Sequence, residues 1–259
     1  IRRIQPDAVP DLSVSLAGLG VSIGLLLFLL YFDRFLHRMR PVAVAAQLAS
    51  HGRQAFEDWM EEAARPDTAF VARGSWTPAT APTFVLRSTR SGTIQAIDTA
   101  GLTAFARTQA CLVVFRHSVG DFVTVGATIL EIHGATVPPA ASQRLSGMVA
   151  LGAERTIEQD PAFAIQVMVD IAIRALSPAV NDPTTAVQVL DHLAETLRVV
   201  GATARPADGA SGDLIATGVV VPVRTWPDFL ALGITEIREY GATSIQVARR
   251  LRALLDELG

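Results

Sequence analysis

The chain contains no lysine: all 22 basic residues are arginine. A chain without lysine forms no Schiff base, carries no biotinyl or lipoyl group on lysine, and lacks the lysine of a P-loop. The Ala-rich composition assigns the bias to the arginine usage of a GC-rich genome, and the chemical exclusions hold whatever its cause. Cysteine is nearly absent as well. Cys111 stands alone, so no internal disulfide forms, and its apolar neighbours read as those of a buried, inert thiol. No long run of one charge occurs, and the net charge is −3. There is no basic stripe, which argues against nucleic acid as a partner. His117 and His133 are too few for a zinc site. Ser177 and Ser211 lack the context of a nucleophile elbow. No catalytic residue, metal ligand or cofactor is assigned. The chain opens Ile1-Arg2-Arg3 without a Met, which reads as a piece of a longer protein.

Apolar residues are abundant, at 50% of the chain, and the mean hydropathy is +0.35. They concentrate first in Leu12 to Phe32, which carries no charge and is bracketed by Asp11 and Asp33. As a helix this stretch rises about 31 Å, the thickness of a bilayer's hydrocarbon core. A signal peptide would have a shorter apolar part and a small-residue cleavage site, whereas Asp33-Arg34-Phe35 follows here. Ser13, Ala17, Gly20 and Gly24 share one helix face, the pattern that lets a second helix pack closely. The expected partner helix comes from another copy or from chain further upstream. Arg34, Arg38 and Arg40 after the span outnumber Arg2 and Arg3 before it, which puts the C-terminal side in the cytosol of a bacterial inner membrane.

Behind the span the expected class is α+β. A span with its flanks occupies 1–40, a juxtamembrane helix 41–64 and a Pro-containing linker 65–83. A small β module follows over 84–134. Asp98 is placed to cap a short helix inside it, and Gly120-Asp121 and Gly126 mark turns. The order Gly-Asp-x-Val-x-x-Gly-x-x-x-Leu resembles barrel-sandwich modules that carry biotin or lipoate, but without lysine the carrier role does not transfer. After a linker at 135–142, an α+β domain fills 143–259. It has a strand and then a turn over Leu145 to Ile157, and an antiparallel helix hairpin whose helices open at Asp160-Pro161 and Asp182-Pro183. A loop over 201–213, a strand over 214–223 and two amphipathic helices complete it.

The densest polar pattern lies around this hairpin. Arg155, Asp170, Arg174, Ser177, Asn181, Asp182 and Thr184 interrupt an apolar region. Asp170 and Arg174, four apart, can pair on a helix face. Two uses compete: locking the hairpin turn, or lining a pocket in which Arg174 anchors an anion or small ligand. A metal site from Asp160, Asp170, Asp182 and Asp191 lacks recognised ligand spacing.

The run DPAFAIQVMVDIAIRALSPAVNDPTTAVQVLDHL, together with Gly92 to Asp98 and Gly120 to Val123, resembles a bacterial family of predicted membrane proteins, domain of unknown function 2254. The resemblance implies several membrane spans, of which this chain would keep the last. It implies no activity. The expected function is therefore an inner-membrane protein whose cytosolic domain binds a ligand or partner and assembles with other copies, in a transport or channel role. The alternatives are a membrane-anchored enzyme acting at the hairpin and a structural scaffold. Expected partners are the lipid bilayer, further copies of the chain, and an unidentified small ligand or protein.

Overall fold

The computed structural model describes residues 11–38, 41–63, 68–72, 78, 81–203, 212–216 and 218–259. The expected flanks at 1–10 and 39–40, most of the expected linker, and 204–211 of the expected loop lie outside the described residues. The chain divides into two units, Ile1–Val44 and Ala45–Gly259.

The first unit holds helix α1 (Asp11–Arg38). Leu12–Arg34 within it has a mean hydropathy of 2.2, and every residue of it is exposed. Leu, Val, Ile and Phe side chains stand exposed on every side of it. A helix apolar all round and uncovered by protein is stable only where its surroundings are apolar too. Cβ atoms built at Gly20 and Gly24 meet nothing within 4 Å, so the small-residue face is open.

The second unit combines helices with two open sheets. After α2 (Pro41–Ala63) come β1 (Thr68–Ala72), β2 (Phe84–Arg87), β3 (Gly92–Ile97), α3 (Thr99–Gln109), β4 (Leu112–Phe115), β5 (Phe122–Val123) and β6 (Thr128–His133). Then follow α4 (Pro139–Gly147), β7 (Val149–Gly152), α5 (Pro161–Ala175), α6 (Pro183–Thr203), β8 (Gly212–Ala216), β9 (Val219–Pro222), α7 (Trp226–Tyr240) and α8 (Ile245–Leu258). Among the described residues one sheet runs β1-β8-β9-β4-β6-β2 and the other β5-β3-β7. All pairings are antiparallel except β4 with β9.

Side chains from both sheets share one core with α3, including Ile94, Val113, Leu130 and Val219. This is a sandwich, but neither sheet closes into a barrel. Strand β1 sits inside the stretch expected as linker, and α4 covers part of the segments read as linker and strand. Asp98 caps α3 as expected, accepting from the Gly101 amide at 2.8 Å.

A second core joins α2 from Ala45 onward to α5, α6, α7 and α8. Phe56, Ile165, Met168, Leu190, Leu193 and Ile237 are fully buried there. Helix α5 can afford few polar residues because its neighbours enclose it. Ala164 lies so close to Gly52 of α2 that a Cβ on the glycine would approach it to 2.7 Å. The small residues thus let two helices meet nearly backbone to backbone.

Candidate functional site

Strand β7 and helix α5 are joined by residues 153–160, and Arg155 and Asp160 bracket that connection. Asp160 is the most deeply buried carboxylate here, 4% exposed. Its Oδ2 accepts from Arg155 Nε at 2.8 Å and Nη2 at 2.6 Å. The guanidinium carbon lies 5.0 Å from the centre of the Phe163 ring, a cation–π contact that fixes the arginine from its other face. Burial pushes the Asp160 carboxyl above its ordinary range, and the charges of Arg155 and, more distantly, Arg224 offset this only in part. Because the carboxylate turns to Arg155, it does not cap α5.

A cavity of about 400 Å³ opens beside this pair. Helix α2 lends Asp58 and Trp59, and β3 and the start of α3 lend Ile97 and Thr99. The loop after β4 lends Ser118 and Val119. The connection before α5 lends Glu158, Gln159 and Asp160, followed by Pro161 and Ala162. The end of β9 lends Val221 and Pro222, and the segment into α7 lends Val223, Arg224 and Phe229. The walls are mainly apolar with a few converging polar groups, the usual make-up of a small-molecule site.

Local bonds hold the walls in place. Ser118 Oγ donates to the Pro222 carbonyl at 2.9 Å, tying the β4 loop to β9. Asp121 Oδ2 accepts from the Ser118 amide at 2.8 Å. Gln159 Oε1 accepts from the Ile97 amide at 2.9 Å. Gly120, at φ +90°, brings the loop against Asp160, and a Cβ there would collide with the carboxylate. The Gly120-Asp121 turn visible in the sequence therefore also closes over the buried ion pair.

A second cavity of about 510 Å³ lies on the other side of Arg155 and includes His51, Gln54 and Phe163. Asp58 and Glu158 line both cavities. The Glu158 carboxyl is held below the usual range by main-chain bonding and the Thr156 hydroxyl, with His51 adding a smaller attraction. It therefore stays ionised at the rim.

The hairpin residues are placed elsewhere. Asp170 is exposed and accepts from Gln166 Nε2 at 3.1 Å rather than from Arg174. Arg174 and Thr184 are exposed. Ser177 Oγ donates to the Arg174 carbonyl at 2.7 Å. Asn181 sits at φ +47°, its amide bonded to the Ser177 carbonyl at 2.8 Å. Asp182 caps α6, accepting from the Thr185 amide at 3.0 Å and hydroxyl at 2.6 Å, which holds its carboxyl below the usual range. Neither cavity beside Arg155 reaches any of these residues. Of the four aspartates considered for a metal, Asp160 pairs with Arg155, Asp182 caps its helix, and Asp191 pairs with Arg250 at 2.5 Å.

Of the expected ligand residues, Arg155 lines the second of these two cavities. Sequence reasoning missed Asp58, Trp59, Ser118, Arg224 and Phe229, which line the first cavity with Asp160. The one local signal was Arg224, a charge set between the apolar end of β9 and the start of α7.

Comparison with known proteins also points to a membrane protein. The sequence profile of the family described as "Predicted membrane protein (DUF2254)" matches residues 1–257. The chain is 38% identical over 181 residues to uncharacterized protein Rv1290c of Mycobacterium tuberculosis, and to uncharacterized protein Mb1321c of Mycobacterium bovis. The match covers 66% of this chain and 34% of each relative, so the aligned part spans about a third of their length. No solved structure matches. The chain belongs to the family of predicted membrane proteins defined by domain of unknown function 2254.

Proposed function

We propose that this chain is the membrane-proximal part of an oligomeric bacterial inner-membrane protein whose cytoplasmic domain binds a small ligand in the cavity beside Arg155 and Asp160. One observation carries the reading. The same chain holds an uncovered apolar helix, Leu12–Arg34, and a domain with a ligand-sized cavity built around a buried ion pair. A buried pair is an expensive way to stabilise a fold, and apolar residues of similar shape do as well or better. Its retention at a cavity wall suits a binding role. The open small-residue face of α1 supports assembly with neighbouring helices. A transport or channel role for the full-length membrane part fits such an assembly, with ligand occupancy of the domain biasing it.

Two measurements on the full-length protein test this. Green fluorescent protein fused after Gly259 should fluoresce in intact cells, and a dark, correctly inserted fusion would overturn the cytoplasmic placement. Native mass spectrometry from lipid nanodiscs should show oligomers, and a strict monomer would sink the assembly.

A further inference from the structure

The charges around the cavity beside Asp160 are unequal, and their inequality specifies a ligand. At the inner wall one carboxylate, Asp160, faces two guanidiniums. Arg155 takes it in a two-bond ion pair. Arg224 attracts it electrostatically and forms no hydrogen bond or ion pair with any of the described residues. The inner group therefore carries a surplus of one positive charge in a mainly apolar, half-enclosed space. The rim is the reverse: Asp58 and Glu158 are both exposed carboxylates.

We infer that the cavity takes an amphipathic monoanion, with its single acidic group turned inward to Arg224 and its uncharged apolar body against Trp59, Val119 and Phe229. The inference rests on the proposed ligand-binding role of this cavity. An inward carboxylate or phosphate diester neutralises the positive surplus through charge-assisted bonds to a planar guanidinium. The apolar walls reward a ring or short chain. A second acidic group at the outer end would meet Asp58 and Glu158, so dianions and strongly charged bodies are disfavoured. A cavity of about 400 Å³ suits a ligand of naphthalene size or a medium acyl chain.

The test uses the full chain in phosphatidylcholine nanodiscs and isothermal titration calorimetry. Four probes are compared: 2-naphthoate, its neutral amide, 2-naphthylmethylammonium, and decanoate. In the wild type 2-naphthoate should bind at least about tenfold more tightly than the amide, the scale of one charge-assisted contact. Arg224→Gln should bring the acid down to the amide's affinity, and Arg224→Lys should restore part of the loss. Unchanged amide binding by Arg224→Gln shows that the cavity is intact in that variant. Tighter decanoate would support an acyl-chain acid as the natural source, and tighter naphthoate a ring acid. Equal binding of acid and amide, preference for the ammonium probe, or no effect of Arg224→Gln would overturn the anion assignment while leaving a ligand cavity. Absence of binding by every probe would overturn both readings. Val119→Trp, which fills the cavity, should abolish whatever binding is seen; binding that survives it lies elsewhere and counts against both.

Discussion

Two Asp-Pro pairs open the helices of the hairpin, and single residues decide that they do different work. Asp182 caps α6 through Thr185. Asp182→Ala should lower stability by about 1 kcal/mol, with Asp182→Asn recovering most of it, in chemical denaturation. Asp160 instead pairs with Arg155, and its loop neighbour Gly120 has both a positive φ and no room for a Cβ. Gly120→Ala should therefore destabilise by about 1–3 kcal/mol, and the same unfolding curves read it. Charge adds a signed prediction. The Arg116 guanidinium, hydrogen-bonded to Glu131, holds that carboxyl below the usual range. Such a group adds stability above its unfolded pKa and loses it as pH falls through the folded one. Asp160 is shifted the other way, so its contribution falls as pH rises from the ordinary carboxylate range toward its raised folded value. Glu131→Gln should thus cost stability near neutral pH and little in acid. Replacing Asp160 with Asn should show a pH slope of opposite sign.

At the scale of elements, periodicity and end signals carried most of the information. The apolar run Leu12 to Phe32 forms α1, Asp98 caps α3, and Trp226 to Tyr240 forms α7. Such features are local, so neighbours in sequence suffice to define them. Strand β1 was hidden because Thr68–Ala72 is short, sits among prolines, and pairs with a strand far along the chain. The span should insert on its own apolar surface. Leu25→Arg, near its centre, should lower insertion efficiency through a cost of about 2.5–3.5 kcal/mol, read by membrane fractionation of the full-length protein. In the helical core, Leu193 is fully buried between α6 and its neighbours. Leu193→Ala should cost about 2–5 kcal/mol in unfolding experiments.

For the whole molecule, the sheet order interleaves distant parts of the chain. Strand β9 enters beside β4 in parallel, and β7 returns to pair with β3. Those two pairings bring the β9–α7 junction and the β7–α5 connection to one place, where Arg224 and Asp160 line a common cavity. The sequence by itself determined the long apolar helix over Leu12 to Phe32, the α+β class, the hairpin with its two Asp-Pro starts, and the chemistry that a lysine-free chain excludes. Each of these depends on composition or on residues a few positions apart. Only the tertiary structure decided which polar residues share a cavity. The hairpin residues looked like a site because they are dense in sequence, yet most face solvent or serve their own turn. Asp58, Ser118, Asp160 and Arg224 are scattered along the chain, and long-range strand pairing and helix packing alone bring them together.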